Sequence, residues 1–326
     1  MVPPHRLYVG TIGEGLFRST DGGQTFARAC DGMFVECHVR ALAVHPREDR
    51  TLYLGTEQGL FRSTDGAGHW NRVDSPLNGL QIWSVLLLPD APEVILAGAS
   101  PSRLFRSADG GRTWTEPPVR MLQECPRIMH TRVTTLAADP IDPAIVWAGV
   151  EIDGLFRSRD RGQTWEAVGR GLSSRDIHAL VIVGGNGRPK RLLAATNNDL
   201  NLSTDDGETW QPLGIGQILP WSYCRALAQV PGRPEVVFLG NGDAPPGSVG
   251  IVARSTDGGS HWEEARMPGR ANSTVWNFAV HPAGAALVYA SSVSGEVYRS
   301  ADGGASWEKL AREFGEIRAL AWTPGW

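Results

Sequence analysis

The sequence has few cysteines, and they show no pattern. Cys30, Cys37, Cys125 and Cys224 are the only four in 326 residues, and no two of them form a C-x-x-C pair. Such a set provides neither a metal-binding spacing nor a disulfide framework, and it favours free thiols in a reducing compartment. The short distance along the chain between Cys30 and Cys37 leaves a bridge across one loop open.

Long apolar runs and an excess of one charge are also missing. No stretch approaches the roughly 18 apolar residues of a membrane-spanning helix, and the first residues, MVPPHRLYVG, lack the apolar core of a signal peptide. The formal net charge of −4 gives no electrostatic basis for binding nucleic acid. We therefore expect a soluble, cytoplasmic monomer with no nucleic-acid or membrane partner, although a secreted protein in its mature form fits equally.

A repeated motif, Ser-x-Asp-x-Gly-x-x-Trp, is what the sequence has in abundance. It occurs seven times, with its aspartates at Asp21, Asp65, Asp109, Asp160, Asp205, Asp257 and Asp302. The spacings are 44, 44, 51, 45, 52 and 45 residues, which predicts a repeat architecture that extends over the chain. Two copies depart from the motif. Phe26 replaces the tryptophan in the first, and Ala67 replaces the glycine in the second, so that Gly68 predicts a turn shifted by one residue.

The motif has a direct physical interpretation. An aspartate in a tight turn accepts hydrogen bonds from the backbone N–H groups that follow it, and the glycine permits a positive φ angle. The closing tryptophan lies on the next strand and can bury a large apolar surface between sheets.

Motif and spacing together resemble the Asp-box, or BNR-repeat, β-propellers. That family includes sialidases, xyloglucanases, sortilin-type receptors and photosystem-assembly propellers, and the resemblance covers essentially the whole chain. It implies that the seven aspartates are structural, because the Asp box of the family is a turn remote from the active site.

Each repeat also contains four short runs of strand-forming residues. The chain begins with a run of the second type, residues 6–10, and ends with one of the first type, residues 317–322. We therefore predict an all-β fold, a single seven-bladed β-propeller of four-stranded blades over residues 1–326. One blade is split between residues 1–29 and 316–326, and pairing of the two ends closes the ring and removes a sheet edge.

A candidate binding site is predicted where the innermost strands begin, at the face opposite the Asp turns. The second residue of each innermost strand varies between repeats, whereas its neighbours are uniform. In blade order these residues are Arg318, Arg40, Trp83, Thr134, His178, Arg225 and Trp276. Arg132 and Tyr223 lie close by, and all of these except Thr134 are the predicted ligand-binding residues. Guanidinium and indole groups favour an acidic small molecule, glycan or peptide segment.

A structural explanation of the same residues stays open at this point. Carboxylates in the nearby loops can pair with the arginines, so that the charged residues simply plug the channel. The candidates are Glu36, Glu124, Glu151, Asp153, Asp243, Glu296 and Glu313.

Three functions compete on this pattern. The main expectation is a binding or assembly scaffold, as in the single-domain members of the family. The alternative is a glycoside hydrolase, in which Arg40, Arg225 and Arg318 imitate the arginines of sialidases. Those enzymes, however, resemble six-bladed rings, and the xyloglucanases use two propellers. A metal-dependent enzyme is a third hypothesis, but His38, His130 and His178 lack ligand spacing, so we expect neither a metal nor a cofactor.

Overall fold

A computed structural model of the chain describes residues 4–126, 128–185 and 187–325. Seven antiparallel sheets surround a central channel, and each sheet is one blade. Six blades have four strands. The third has three, with a single bridge between Arg106 and Thr115 in place of its outer strand. The predicted all-β, seven-bladed propeller is therefore confirmed. None of the described residues forms a helix long and apolar enough to span a membrane.

The strands follow one another blade by blade. Blade 1 contains β1 (His5–Thr11), β2 (Leu16–Ser19) and β3 (Ala27–Arg28); blade 2 contains β4 (Ala41–His45), β5 (Glu48–Thr56), β6 (Gly59–Ser63) and β7 (Asn71–Arg72); blade 3 contains β8 (Gln81–Leu87), β9 (Ile95–Ser100) and β10 (Leu104–Ser107). A hairpin of β11 (Glu124–Cys125) and β12 (Met129–His130) precedes blade 4, which contains β13 (Val133–Ala138), β14 (Val146–Val150), β15 (Gly154–Ser158) and β16 (Glu166–Val168).

The remaining blades repeat the same order. Blade 5 contains β17 (Ile177–Gly185), β18 (Arg188–Thr196), β19 (Leu200–Ser203) and β20 (Gln211–Pro212); a 3-10 turn (Ile215–Gln217) follows it. Blade 6 contains β21 (Tyr223–Val230), β22 (Arg233–Gly242), β23 (Gly250–Ser255) and β24 (Glu263–Glu264); blade 7 contains β25 (Val275–Ala279), β26 (Val288–Ser292), β27 (Val297–Ser300) and β28 (Glu308–Lys309). The last strand is β29 (Ile317–Pro324).

The two ends of the chain close the ring. β29 pairs antiparallel with β1, from His5 opposite Pro324 to Thr11 opposite Ile317. It thereby supplies the innermost strand of blade 1, and the predicted closure is confirmed. Residues 1–3 and 326, which belong to the predicted split blade, lie outside the described residues.

Each Asp turn is stabilised by a buried serine and a largely exposed carboxylate. In the third copy, Ser107 Oγ donates to Asp109 Oδ1 (2.8 Å) and accepts from the backbone N–H of Gly111 (2.8 Å). Asp109 also accepts hydrogen bonds from the N–H and the hydroxyl of Thr113 (2.9 and 2.7 Å). The same serine–aspartate hydrogen bond occurs in all seven copies.

The second turn is not shifted, although its sequence suggests a shift. Ala67 itself takes the left-handed conformation (φ 62°), and its N–H donates to Ser63 Oγ (3.0 Å). Gly68 keeps the position that follows, with its N–H 2.8 Å from Asp65 Oδ1. The predicted shift is wrong because the hydrogen bonds of the turn outweigh the modest strain of a positive φ at alanine.

Arginines link neighbouring blades at these turns. Arg18 donates to the carbonyl of Gly66 (2.8 Å), Arg106 to that of Arg161 (2.9 Å), Arg157 to that of Asp206 (2.5 Å) and Arg299 to that of Gly22 (3.0 Å). Each acceptor is the residue directly after the turn aspartate of the next blade. The turn is therefore also a docking point between blades, and the Arg299 link joins blade 7 to blade 1.

The motif tryptophans fill the space between blades. Trp70 of blade 2 is buried among residues of blade 1 and donates its indole N–H to the carbonyl of Ala29 (2.9 Å). Trp262 of blade 6 belongs to a buried cluster with Leu193 and Leu200 of blade 5. Phe26 takes this role in the first copy, where its ring meets that of Phe314 edge-on at 5.0 Å.

From the lowered pKa values of the turn aspartates we expect the protein to lose stability in acid. The hydroxyl of Thr113 lowers the pKa of Asp109 to about 2, and that of Thr209 lowers the pKa of Asp205 to about 2, from the usual 3.8. A depressed pKa contributes stability above the unfolded value, and this stability is lost as the pH falls from about 4 to about 2. We expect the melting temperature to fall steeply in this range. Thr113→Val with Thr209→Val should flatten the fall, and an equal fall in this variant would contradict the prediction.

Candidate functional site

The candidate residues lie at the channel face opposite the Asp turns. The start of each innermost strand pairs with the end of the second strand, as Val133 pairs with Val150, whereas the Asp turn follows the end of the third strand at Ser158. The innermost strands therefore begin at the face opposite the Asp turns, as the sequence predicts.

A β-bulge positions almost every candidate of the predicted ring. The pairing register skips one residue in six innermost strands, and the residues skipped are Trp83, Thr134, His178, Arg225, Trp276 and Arg318. A bulge leaves the extra residue unpaired and redirects its side chain. The ring is thus a repeated feature of the backbone on which each blade places a different side chain.

Arginine and tryptophan side chains form two stacks within this ring. The guanidinium carbons of Arg40 and Arg132 lie 4.5 and 4.4 Å from the centre of the Trp83 ring. Those of Arg225 and Arg318 lie 3.9 and 4.5 Å from that of Trp276. Cation–π attraction is strongest in such desolvated settings, so each tryptophan holds two guanidinium planes in place.

Carboxylates pair with two of these four arginines. Arg132 forms an ion pair with Glu151, and Arg318 forms one with Glu316. No described carboxylate lies within ion-pair distance of Arg225. The structural explanation, in which loop acids neutralise the arginines, is therefore realised for one arginine of each stack.

A histidine and a carboxylate face each other beside the second stack. His178 Nδ1 lies 2.7 Å from the carbonyl oxygen of Cys224, and because a carbonyl only accepts, this nitrogen carries the proton. Its Nε2 lies 3.6 Å from Asp176 Oδ1, which is buried and has no hydrogen-bond partner among the described residues. The ring of Tyr223 covers His178 at 5.1 Å. The Asp176 side chain as a whole is 20% exposed, so the carboxyl group reaches solvent through its other oxygen rather than through Oδ1.

These groups meet in a large cavity at the channel mouth. Its volume is about 980 Å³, and Arg132, His178, Tyr223, Arg225, Trp276 and Arg318 line it together with Glu151, Asp176 and Glu316. Its rim comes from three loops, at Ile128, at residues 216–222 and at residues 243–246. Arg40 and Trp83 do not line this cavity. They line a smaller chamber deeper in the channel, so the mouth cavity is displaced away from blades 2 and 3.

Two carboxyl groups of the mouth cavity have pKa values shifted in opposite directions. Burial raises the pKa of Glu151, and the guanidinium of Arg132 offsets this only in part. Burial also acts on Asp176, but His178, which donates from Nε2 when its ring is fully protonated, and the charges of Arg225 and Arg132 hold the pKa of Asp176 below its usual value. Glu151 therefore keeps its proton to a higher pH than Asp176 does.

Sequence reasoning identified Glu151 as one of many nearby acids, but it missed Asp176 and Glu316. Both lie two residues before a ring residue, in the position that Arg132 and Tyr223 occupy in their own repeats. That position varies between repeats as strongly as the ring position does, and this signal points to both acids. Of the other predicted acids, Asp243 lines the mouth, Asp153 pairs with Arg175, and Glu296 pairs with Lys309.

The described residues provide no metal site. They contain no group of three or more His, Cys, Asp or Glu residues arranged to bind a metal ion. The four cysteines are unbridged, and Cys30, Cys37 and Cys224 are buried.

Comparison with known proteins links the chain to xyloglucanases. No protein-family model matches it. A probable oligoxyloglucan-reducing end-specific xyloglucanase of Neosartorya fischeri is 30% identical over 285 residues, which are 80% of this chain and 32% of that protein. The chain thus spans about a third of the length of the curated relatives it matches.

Solved structures share the fold at lower identity. The GH74 xyloglucanase from Xanthomonas campestris superimposes with a TM-score of 0.64 at 22% identity, over 94% of this chain and 47% of that one. YCF48 from Cyanidioschyzon merolae superimposes with a TM-score of 0.57 at 13% identity, over 85% and 87% of the two chains.

These relatives correct the functional expectation drawn from the sequence. A binding or assembly scaffold was the main expectation, and it is wrong, because the curated relatives are glycoside hydrolases by name. They favour the alternative, a glycoside hydrolase. The role of each predicted binding residue, and the preference for an acidic ligand, stay predictions.

Proposed function

We propose that the protein is a glycoside hydrolase whose active site is the mouth cavity. Glu151 is the general acid, and Asp176 is the second carboxylate. The observation that carries the proposal is that both carboxyl groups line one cavity, and the opposite shifts of their pKa values support it. Glycosidic bonds are broken by such a pair, in which a protonated carboxyl group faces an ionised one across the sugar.

The reaction follows from the two protonation states. Glu151 gives its proton to the glycosidic oxygen, and the bond from this oxygen to the anomeric carbon breaks. Asp176 either takes a proton from the water that attacks this carbon or attacks it directly. Arg132, already paired with Glu151, stabilises the carboxylate that Glu151 becomes. The oxygen of Asp176 that is not buried accepts the proton or forms the bond.

The remaining wall residues suit a carbohydrate. The cavity is lined by the aromatic side chains of Trp221 and Tyr223, whose flat apolar faces match the faces of sugar rings. Buried Asn241 donates to the carbonyl of Trp221 (2.8 Å) and so holds that residue at the rim. Arg225 and Arg318 provide donors for sugar hydroxyls or for an acidic substituent.

We also propose that residues 1–326 form one Asp-box (BNR-repeat) domain. What supports this is the common hydrogen-bond pattern of the seven turns, in which a serine hydroxyl donates to an aspartate.

A product assay tests the proposed activity. The protein is incubated with xyloglucan oligosaccharides, cello-oligosaccharides, aryl glycosides and uronic-acid oligosaccharides, and the products are separated by chromatography. We expect cleavage of at least one glucan class by the wild type and none by Glu151→Gln with Asp176→Asn. Glu264→Gln, on the exposed outer strand of blade 6, is the matched control and should retain wild-type activity. Failure of the wild type to cleave any glycoside, or equal cleavage by the double variant, would overturn the proposal.

A further inference from the structure

A second cavity lies below the mouth, within the channel. Its volume is about 210 Å³, and three arginines, Arg40, Arg225 and Arg318, line it. No Asp or Glu occurs among the described residues that line it, whereas the mouth cavity contains four. We call this second cavity the arginine chamber.

Neighbouring residues compensate the positive charge of the arginine chamber only in part. Arg318 directs its Nε to Glu316 at the mouth. Among the described residues, Arg40 has one partner within hydrogen-bond distance, the imidazole of His38 (3.3 Å). Arg225 has no described carboxylate within ion-pair distance. Arginine keeps its charge even when buried, so the three guanidinium groups repel one another across the chamber.

The pKa values of the three arginines reflect both their burial and this repulsion. Burial lowers the pKa of Arg40, Arg225 and Arg318, and the charge of Arg318 contributes to lowering it in Arg40 and Arg225. The Nε of Arg40 and the indole N–H of Trp83 are also buried without an acceptor. Donors therefore exceed acceptors around the chamber, and an anion would supply what the protein does not.

We propose that the arginine chamber binds a small oxyanion, the chemistry shared by sulfate, phosphate and a carboxylate, through Arg40, Arg225 and Arg318. Guanidinium groups present paired N–H donors that match the oxygens of such anions. The volume of the chamber equals that of about seven water molecules, at roughly 30 Å³ each. It therefore has room for one oxyanion with some of its hydration water. The stacks on Trp83 and Trp276 hold the guanidinium planes before the anion arrives.

The anion has two possible sources. It is either a free ion or the carboxylate of an acidic sugar held in the mouth, because His178, Arg225, Trp276 and Arg318 line both cavities. The site does not depend on the proposed hydrolysis, since binding of an anion can be measured in a protein that cleaves nothing.

Thermal melting in sulfate tests the site. Chloride is replaced by sulfate at constant ionic strength. At a sulfate concentration about ten times the dissociation constant, we expect the melting temperature of the wild type to rise by about 2–5 °C. Arg225→Gln and Arg40→Gln should lose this rise. Arg72→Gln, which removes an exposed arginine from the outer strand of blade 2, should keep it. A rise of equal size in Arg40→Gln with Arg225→Gln would overturn the proposal, because it would reveal a general effect of sulfate on the surface.

Crystals grown with selenate provide a second measurement that needs no variant. Anomalous density between Arg40, Arg225 and Arg318 supports the proposal. Density that appears only at other places would overturn it. Glucuronate and glucose then separate the two sources. A stabilisation by glucuronate that exceeds that by acetate, and that Arg225→Gln abolishes, identifies the sugar carboxylate. Equal effects of glucuronate and acetate identify a free ion.

Discussion

Replacing Glu151 by glutamine should lower kcat by about 10²–10⁴-fold, the contribution of a positioned general acid. Glutamine keeps the shape of the side chain and removes the proton that the leaving oxygen needs. Asp176→Asn should cause a loss of at least the same size, because it removes the oxygen that receives the proton or forms the bond.

The pH dependence of the rate distinguishes the two roles. Activity requires Asp176 ionised and Glu151 protonated, so the rate falls on the acid side through the lowered pKa of Asp176 and on the alkaline side through the raised pKa of Glu151. The residual activity of Glu151→Gln should lose the alkaline fall, and that of Asp176→Asn the acid fall. The assay is kcat/KM from pH 3 to 9 on the best substrate of the panel. A Glu151→Gln variant that keeps the alkaline fall would show that another group is the acid.

Removal of residues 316–326 should abolish the cooperative fold. These residues contain β29, whose Ile317, Ala319, Leu320 and Trp322 are buried, and which is the innermost strand of blade 1. Burying one large apolar side chain contributes about 1.5–3 kcal/mol, so the loss of three such side chains, together with Ala319 and the strand ladder, approaches the ~5–15 kcal/mol of total stability. Circular dichroism should show no cooperative melting transition.

A point variant gives the same prediction in a milder form. Trp322 is 1% exposed and packs on the rings of His281 (5.0 Å) and His5 (5.8 Å), so Trp322→Ala should cost about 3–5 kcal/mol. Ile141→Ala, which shortens a half-exposed side chain on the loop between β13 and β14, is the control and should melt as the wild type does. If the truncated protein melts within two degrees of the full chain, the ring is not closed by β29.

The fold could be predicted because its signals are local and repeated. Ser107, Asp109 and Gly111 make a turn from their own short-range hydrogen bonds, and the motif returns often enough to count the blades. The split of one repeat between the two termini then predicts closure of the ring, because pairing the last strand with the first removes a sheet edge that would otherwise be exposed. At Ala67 the same local reasoning failed, since the hydrogen bonds to Ser63 and Asp65 hold the turn in register without glycine.

The site could be predicted only in part. Variation at one repeat position identified His178, Arg225, Trp276 and Arg318, which do line the mouth. It did not reveal that Arg40 and Trp83 lie deeper, because depth along the channel depends on how each bulge directs its side chain. It also did not separate Asp176 from the many other acids, because an acid becomes chemically distinct only through the neighbours that bury it.

The sequence by itself determined the number of blades, the turns and the ring closure, since these follow from contacts between residues close along the chain or repeated at a constant period. Only the tertiary structure decided which charges meet. Glu151 follows the second strand of blade 4, Asp176 precedes blade 5, and Arg225 belongs to blade 6; no sequence pattern connects them. Their common environment arises because the ring brings the innermost strands of separate blades to one channel, where burial sets the protonation of each group.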